Sequence, residues 1–300
     1  MTIQNHKTKI VATIGPASDS PEMLERLMRA GLNIARLNFS HGDLTKHAEV
    51  IARIRAAARA TGRRVVIMAD LPGPKMRLGK IEPEPIQLRP GDRLTLTTEN
   101  IVGNVQRVPM SFERLPQVVK PGDRLFLNDG LVQLQVERVA GRDVHCTVAV
   151  GGELRSRKGL NLPGIDLGIS AFTDHDRACL AFALQHGVDA VSQSFVETAA
   201  DIDAVRAAAT ASGGQPFIIA KIERAGALAH FDDIVKAADG IMVARGDLGV
   251  EVPIEEIALM WTFALSDGVY LRTGKRRDQA YVAYASASMK GARNFGESDW

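Results

Sequence analysis

The chain has 300 residues, of which 45% are hydrophobic and 24% are charged, and its formal net charge at pH 7 is +2. This length accommodates one large domain or two smaller ones, and the small net charge gives no indication of a nucleic-acid-binding protein. The sequence starts without a signal-peptide pattern and has no apolar run near the length of a membrane span, so we expect a cytoplasmic protein that binds neither nucleic acid nor membrane.

The first part of the chain, residues 1–73, alternates between β-rich and helical patterns. Ser20 stands where an N-cap residue would begin the first helical segment. The β-rich runs cover residues 9–14, 33–40 and 64–70. Strands separated by helices predict a parallel sheet with right-handed crossovers.

Residues 74–162 have a different pattern, in which apolar and polar residues alternate with period two and no convincing helix is present. The sequence Pro-Gly-Asp-Arg-Leu occurs at 90–94 and again at 121–125, where each copy predicts a turn followed by a strand. Asn-Asp-Gly at 128–130 between two apolar runs is typical of a β-hairpin. We predict a small all-β domain inserted into an α/β domain.

The alternation of strands and helices returns in residues 163–258. Thr173 with Asp176, and Thr198 with Asp201, form the capping pattern that begins a helix. Three further strands are predicted, at residues 189–196, 217–223 and 240–247. Six parallel strands fit either an open doubly wound sheet or an incomplete eight-stranded barrel, which would need two more.

Polar residues share one face at the end of the second predicted strand. Arg36, Asn38 and Ser40 are spaced two residues apart, and apolar residues occupy the other face. An arginine on an inward barrel face needs a partner, because an unpaired buried charge is costly. The pattern therefore favours a site for a phosphate group or a cation over an ordinary strand end.

Two neighbouring predicted strands end in carboxylates. Lys221 and Glu223 share a face at the end of one strand, and Asp247 follows Gly246 at the end of the next. Two carboxylates with room for water and substrate oxygens are a typical Mg²⁺ site, and a nearby lysine can stabilise charge on a transferring group. Gly246 lets a ligand approach the backbone closely.

Five motifs follow one another along the chain. They are Thr-Ile-Gly-Pro-Ala-Ser at 13–18, Asn-Ile-Ala-Arg-Leu-Asn-Phe-Ser-His-Gly at 33–42, Arg-Lys-Gly-Leu-Asn-Leu-Pro-Gly at 157–164, Ile-Ile-Ala-Lys-Ile-Glu at 218–223 and Val-Ala-Arg-Gly-Asp-Leu-Gly-Val-Glu at 243–251. In this order and spacing they resemble the signatures of the pyruvate kinase family, and the resemblance covers about residues 7–258.

The resemblance implies an α/β fold of the (β/α)₈ TIM-barrel type, with six of eight strands evident, and an inserted all-β lid domain. It implies glycolytic, Mg²⁺-dependent phosphoryl transfer from phosphoenolpyruvate to ADP, giving pyruvate and ATP. Arg36 and Lys221 would be catalytic and would bind the substrate together with Gly246 and Asp247. The remaining implied roles are nucleotide binding by Asn38, Ser40, His41, Arg77 and Lys158, Mg²⁺ binding by Glu223 and Asp247, and monovalent-cation binding by Asn38, Ser40 and Asp70.

One motif departs from the family pattern. Asp-Leu-Pro-Gly-Pro-Lys at 70–75 stands where many members have Asp-Thr-Lys-Gly-Pro-Glu. The Lys75 ammonium could replace the charge that K⁺ otherwise provides, and the resemblance to the lysine-bearing branch implies activity without K⁺. The alternative is a solvated lysine on the hinge into the lid.

The last segment, residues 259–300, is an atypical tail that does not follow the family. Every Trp and Tyr of the chain lies in residues 261–300, and neither a seventh nor an eighth strand is predicted there. We interpret the tail as a truncated or frame-disrupted continuation, with a divergent ending as the alternative. A barrel without two strands would expose a sheet edge and core side chains.

Three functional hypotheses follow. The first is pyruvate kinase activity, the second is an inactive remnant that keeps metal or nucleotide binding, and the third is a Mg²⁺-dependent lyase or aldolase acting on phosphoenolpyruvate or pyruvate. A lid that carries Lys158 over a nucleotide favours a kinase over a lyase. The resemblance also implies a homo-oligomer, although the segment that would carry its contacts is not recognisable.

Overall fold

The computed structural model describes residues 9–253 together with Glu255 and Ile257. These residues form one parallel sheet of six strands, an antiparallel-rich sheet of six strands and a sheet of two strands. The tail at 259–300, and with it the departure from the family pattern that the sequence indicates, lies outside the described residues.

The first elements alternate as predicted. They are β1 (Ile10–Thr13), α1 (Pro21–Ala30), β2 (Leu32–Asn38), α2 (Leu44–Thr61) and β3 (Val66–Leu71). Ser20 caps α1, since its hydroxyl accepts a hydrogen bond from the Met23 amide at 3.2 Å. Gly31 and Gly62 end α1 and α2 in the left-handed conformation that glycine adopts without steric cost. Local sequence therefore determines where both helices begin and end.

The next segment, here called the β region (residues 86–161), is almost entirely extended. Its elements are β4 (Ile86–Leu88), β5 (Arg93–Thr97), β6 (Arg107–Pro109), α3 (Leu115–Val118), β7 (Arg124–Leu127), β8 (Val132–Ala140), β9 (Asp143–Val150), β10 (Gly152–Leu154) and β11 (Leu160–Asn161). Asp92 and Asp123, in the repeated Pro-Gly turns, accept hydrogen bonds from the amides of Arg89 and Lys120 at 2.7 and 2.8 Å. The two copies of the motif thus form the same turn.

The β region buries a hydrophobic cluster of its own, which includes Leu96, Leu125 and Val132. Its strands lie in the orders β11-β7-β8-β9-β5-β6 and β10-β4. Asn128 and Asp129 have φ values of 53° and 57° in the predicted turn between β7 and β8. The short helix α3 is a departure from the expectation that this segment contains no helix.

The remaining elements return to the alternating pattern. They are α4 (Asp174–Gln185), β12 (Ala190–Gln193), α5 (Ala199–Ala211), β13 (Phe217–Ile222), α6 (Gly226–Ala229), α7 (Phe231–Ala237), β14 (Gly240–Val243) and α8 (Arg245–Glu251). Both predicted capping boxes are present at the starts of α4 and α5. Among the described residues, no helix is long and apolar enough to cross a membrane.

Two predicted strands are too long. The expectation of a strand over 240–247 was wrong after Val243, because the chain turns into α8, whose first backbone hydrogen bond runs from Leu248 N to Ala244 O at 2.9 Å. Leu248 is fully buried, which anchors this turn. The strand predicted over 189–196 ends at Gln193, and Phe195 has a left-handed φ of 60° that no strand can accommodate.

The six parallel strands lie in the order β1-β2-β3-β12-β13-β14. The sheet is curved into half of a barrel, which confirms the predicted α/β fold with an incomplete TIM-type barrel. Alternate residues of successive strands form an inner cluster of Ile34, Met68, Ala190, Ile219 and Met242. The larger cluster packs the other face of the sheet against the helices. The carboxyl ends of all six strands therefore lie along one edge.

Asp176 connects the start of α4 to the end of β3. The fully buried carboxylate accepts hydrogen bonds from Thr173 N at 2.8 Å, Thr173 Oγ1 at 2.6 Å and Gly73 N at 2.9 Å. We expect Asp176→Ala to lower the free energy of unfolding by about 2–4 kcal/mol, because it removes a cap and leaves a buried amide without an acceptor. Urea unfolding followed by circular dichroism measures the change.

Asp174→Ala is the matched control, since Asp174 lies in the same first turn of α4 but is exposed. Its loss should be less than about 1 kcal/mol, the magnitude of a charge interacting with the helix dipole. Equal losses in the two variants would show that the buried hydrogen bonds of Asp176 contribute nothing beyond the interaction of a charge with the helix dipole.

Candidate active site

Four polar side chains continue the inner face of the half-barrel at its carboxyl edge. Each lies two residues after a member of the inner cluster: Arg36 after Ile34, Asp70 after Met68, Ser192 after Ala190 and Lys221 after Ile219. The strand register places Asp70 opposite both Asn38 and Ser192. An apolar barrel interior is therefore closed by a polar layer.

The Lys221 ammonium is the centre of that layer. Its Nζ lies 2.7 Å from Glu223 Oε1, 3.3 Å from Asp70 Oδ1 and 2.7 Å from Ser194 Oγ, and the side chain is 8% exposed. Burial alone would lower the pKa of Lys221, but the charges of Glu223 and Asp70 outweigh it and raise the pKa above its ordinary value. Lys221 is therefore a permanent cation.

Asp70 is shared between two cations. Its Oδ2 accepts hydrogen bonds from Arg36 Nε at 3.0 Å and from Arg36 Nη2, and its Oδ1 accepts one from Ser192 Oγ at 2.7 Å. Burial tends to raise the pKa of Asp70, but the charges of Lys221 and Arg36 lower it below its usual value. The sequence assigned Arg36 to a phosphate and Asp70 to a monovalent cation, and the structure pairs the two side chains with each other.

Glu223 and Asp247 are close enough for the charge of Asp247 to act on Glu223, although they do not both end strands. Glu223 directly follows β13, and its Oε2 accepts a hydrogen bond from Phe195 N at 2.9 Å. Asp247 lies in the first turn of α8 and keeps an exposed surface. Burial raises the pKa of each carboxyl group, Lys221 opposes the shift in both, and the Asp247 charge raises the pKa of Glu223 further. Carboxylates that repel each other in this way are suited to hold a cation between them.

Gly246 precedes Asp247 in the same turn. A Cβ atom built at Gly246 would meet no atom within 4 Å, so the backbone faces open space. Because the hydrogen-bond ladder of α8 begins at the Leu248 amide, the helix itself does not use the Gly246 amide. The Gly246 amide is therefore outside the helical hydrogen bonding and lies beside open space.

Lys75 lies against the end of β2. Its Nζ donates to the Ser40 carbonyl oxygen at 2.8 Å, and the Ser40 amide donates to Asn38 Oδ1 at 2.9 Å. The pKa of Lys75 is lowered, first by burial and then by the charge of Arg77, while Asp176 opposes the change. Lys75 is thus half-buried with its ammonium on a carbonyl group, whereas the alternative reading expects a solvated lysine on the hinge.

Basic groups gather beside Lys75. Burial, followed by the charges of Lys75 and Arg77, lowers the pKa of His41. Arg77 Nη1 donates to the Arg157 carbonyl at 3.2 Å, and Leu78 N donates to the Lys158 carbonyl at 2.9 Å. The backbone bonding thus brings the segment of Lys158 alongside that of Arg77.

Sequence reasoning missed two serines of β12 and the turn after it. Ser192 and Ser194 bind Asp70 and Lys221, and Phe195 N binds Glu223. The signal was present, because Ser192 and Ser194 are spaced two residues apart at the end of a predicted strand, as Lys221 and Glu223 are. Within the described part of the chain, no group of three or more His, Cys, Asp or Glu side chains could hold a metal ion by itself.

Lys221→Met should test how strongly the buried charges depend on one another. We expect a loss of about 3 kcal/mol in the free energy of unfolding at about pH 8, because Asp70 and Glu223 lose the ammonium between them. The pKa of Glu223 is already raised and rises further without Lys221, so protonation at about pH 5.5 should relieve part of the loss. Urea unfolding at both pH values measures it.

Lys236→Met is the control, since Lys236 pairs with Asp233 at 2.7 Å in an exposed i,i+3 ion pair. Its effect should be less than about 0.5 kcal/mol at either pH. A loss in Lys221→Met that does not change with pH would contradict the role given to the Glu223 charge.

Comparison with known proteins identifies the family. A family model described as the barrel domain of pyruvate kinase matches residues 5–266. The pyruvate kinase of Thermococcus litoralis is 47% identical over 260 residues, which cover 87% of this chain and 55% of that protein. The pyruvate kinases of Geobacillus stearothermophilus and Mycobacterium intracellulare are 43% and 42% identical over 85% of this chain and over 44% and 54% of their own lengths. The chain thus spans about half the length of these relatives, and it belongs to the pyruvate kinase family.

Proposed function

We propose that this chain carries a phosphoryl-transfer site that moves a phosphoryl group from phosphoenolpyruvate to ADP with the help of Mg²⁺. The observation that carries the proposal is the buried Lys221 ammonium, held between Asp70 and Glu223 next to the carboxylate of Asp247. Membership of the pyruvate kinase family supports the choice of reaction.

Glu223 and Asp247 are the residues that would hold the metal ion. The charge of Asp247 disfavours ionisation of Glu223, the charges of Asp70 and Asp129 disfavour ionisation of Asp247, and a divalent cation would relieve both effects. Bound Mg²⁺ would neutralise and orient phosphoryl oxygens. Two carboxylates with room for water and substrate oxygens match the preference of Mg²⁺ for incomplete protein ligation.

Arg36 and Lys221 would neutralise the phosphoryl group of phosphoenolpyruvate. Arg36 uses three of its five N–H groups on Asp70 and Thr13, and its side chain is 15% exposed, so two N–H groups remain for an anion. In the transfer, the bond from phosphorus to the enol oxygen breaks, a bond to a terminal oxygen of ADP forms, and the enolate takes a proton to give pyruvate. Lys221 would stabilise the negative charge on the transferring group.

The nucleotide would bind on the basic side of the cleft. Arg77 and Lys158 lie on adjacent segments, and His41 is close enough to Arg77 for that charge to lower its pKa. Asn38 and Ser40 lie beside them at the end of β2. Positive groups on flexible side chains suit the phosphates of ADP.

Lys75 would take the place of a bound K⁺ ion. Its ammonium contacts the Ser40 carbonyl, which is an oxygen that a monovalent cation could otherwise use. The same ammonium supplies one positive charge beside Asn38 and Ser40. The proposed reaction therefore proceeds without added K⁺.

The first test measures pyruvate. With phosphoenolpyruvate, ADP and Mg²⁺, a lactate dehydrogenase-coupled assay should detect pyruvate formation that requires all three. Lys221→Met should lower kcat by at least about a hundredfold, because it removes a charge aimed at the transferring group. Lys236→Met should retain the activity, because Lys236 lies in α7 before the amino end of β14, whereas the proposed site lies at the carboxyl ends of the strands.

The remaining functional hypotheses correspond to distinct outcomes of that assay. Absence of turnover, together with Mn²⁺ binding that Glu223→Gln abolishes, would contradict catalysis and indicate a remnant that only binds metal. Pyruvate formation that does not need ADP would instead indicate a lyase.

The second test removes K⁺. Replacing K⁺ with a bulky organic cation should change kcat/KM by less than about twofold in the unaltered chain. Lys75→Glu should make the rate depend on K⁺, because it exchanges the resident charge for a carboxylate that can ligate the ion. Strict K⁺ dependence of the unaltered chain would contradict the role proposed for Lys75.

A further inference from the structure

Arg224 is a buried arginine that the proposed reaction does not use. It directly follows Glu223 in the chain, and its side chain is 3% exposed. Its Nη1 lies 2.7 Å from Glu197 Oε1, and its Nε lies 3.9 Å from Glu251 Oε1. A buried guanidinium is tolerated only where such partners surround it.

Arg224 also binds the segment through which the chain returns from the β region, here called the return segment (residues 162–165). Arg224 Nη2 donates to the Ile165 carbonyl at 2.7 Å and lies 3.5 Å from the Leu162 carbonyl. This segment directly follows β11, the last strand of the β region. One guanidinium therefore ties the connection between the two folded parts to the end of β13.

The third group that Arg224 reaches is Glu251, the last residue of α8. The Glu251 side chain is 2% exposed, and its Oε2 accepts a hydrogen bond from Ala225 N at 2.9 Å. Because α8 carries Asp247 in its first turn, this contact fixes the helix that presents one of the two proposed metal ligands. Arg224 and Ala225 thus hold the far end of α8 against β13.

A second contact reaches α8 from the β region. A Cβ atom at Gly130, in the turn between β7 and β8, would lie 3.2 Å from Val250 Cγ1. The turn therefore packs closely on the residue before Glu251. Helix α8 is held from one side by the tip of the β region and from the other by the contacts of Arg224 and Ala225.

Among the described residues that contact Arg224, two are carboxylates and none is a second buried cation. Burial raises the pKa of both Glu197 and Glu251, and the charge of Arg224 opposes the shift in each. The Glu197 carboxylate and two carbonyl groups contact the Nη atoms of this guanidinium, whereas Nε has no hydrogen-bond partner among the described residues and lies 3.9 Å from the Glu251 carboxylate. A lysine has one point of charge and no planar fork, so it could not serve all of them.

We propose that Arg224 is a positioning residue, which links the return segment to α8 and thereby sets where Asp247 lies relative to Glu223. This inference rests on the proposed function, in which those two carboxylates hold a divalent cation. The position of the return segment and the geometry of the metal site would then be coupled through one side chain.

The test combines metal affinity with amide hydrogen exchange in the complete chain. Mn²⁺ binding is measured by electron paramagnetic resonance, and exchange is followed in residues 162–165 and 245–251. The variants are Arg224→Lys and the near-isosteric Glu251→Gln. Glu223→Gln serves as the variant that removes a ligand directly.

Arg206→Lys is the matched control. Arg206 Nη2 donates to the Ala237 carbonyl at 2.7 Å and to Asp239 Oδ2 at 3.2 Å, so it also joins a carbonyl and a carboxylate. Asp239 immediately precedes β14, at the opposite edge of the sheet from the proposed site. This variant should change Mn²⁺ affinity by less than about twofold and should leave the exchange of both monitored segments unchanged.

Arg224→Lys and Glu251→Gln should each weaken Mn²⁺ binding by about tenfold, the size of effect seen when groups that orient metal ligands are removed. Arg224→Lys should also accelerate exchange in both segments together, and combining it with Glu251→Gln should add little. Unchanged Mn²⁺ affinity in Arg224→Lys, with binding abolished in Glu223→Gln, would overturn the proposal. If Arg224→Lys does not fold, the affinity of Glu251→Gln decides the same question.

Failure of the proposed function gives a different result. In that case Glu223→Gln itself would leave Mn²⁺ affinity unchanged. Amide hydrogen exchange in Arg224→Lys would then still show whether the return segment and α8 are linked. Faster exchange in one of the two segments without the other would overturn that link.

Discussion

The structure of the site depends on one constraint, which is that the Lys221 ammonium is buried and needs acceptors on several sides. Asp70 from β3, Glu223 after β13 and Ser194 after β12 provide them. These residues come from three adjacent strands. The charges can remain buried only while those strands keep their register, since a shift of one residue would turn each side chain to the other face.

The same constraint explains why the chain can accommodate a long insertion. Strands β3 and β12 are neighbours in the parallel sheet although the β region separates them in sequence. The Ser192–Asp70 hydrogen bond and the Gly73–Asp176 hydrogen bond both join the two sides of the insertion. The β region has its own hydrophobic cluster, so its folding does not take residues from the barrel core.

Local signals predicted most elements, whereas contacts between strands could not be read from the sequence. The caps at Ser20 and Thr173 and the alternation of apolar residues act within a few residues, and the structure confirms both capping predictions. The pairing of Arg36 with Asp70 depends on which strands become neighbours. The start of the helix that contains Asp247 was placed too late, because an apolar run ending in Arg-Gly-Asp fits a strand until the burial of Leu248 is known.

The site contains a group of carboxylates and a group of basic side chains, and in each group burial and nearby like charges disfavour the charged state. On one side, burial raises the pKa values of Glu223 and Asp247, and other carboxylate charges raise them further: that of Asp247 for Glu223, and those of Asp129 and Asp70 for Asp247. On the other, burial and the charge of Arg77 lower the pKa of Lys75. A single monovalent ion would relieve only one side. A divalent cation bound to phosphate oxygens would relieve both, because it brings positive charge to the carboxylates and negative charge to the basic groups. These electrostatics therefore support the proposal of a divalent cation bound together with a phosphate group.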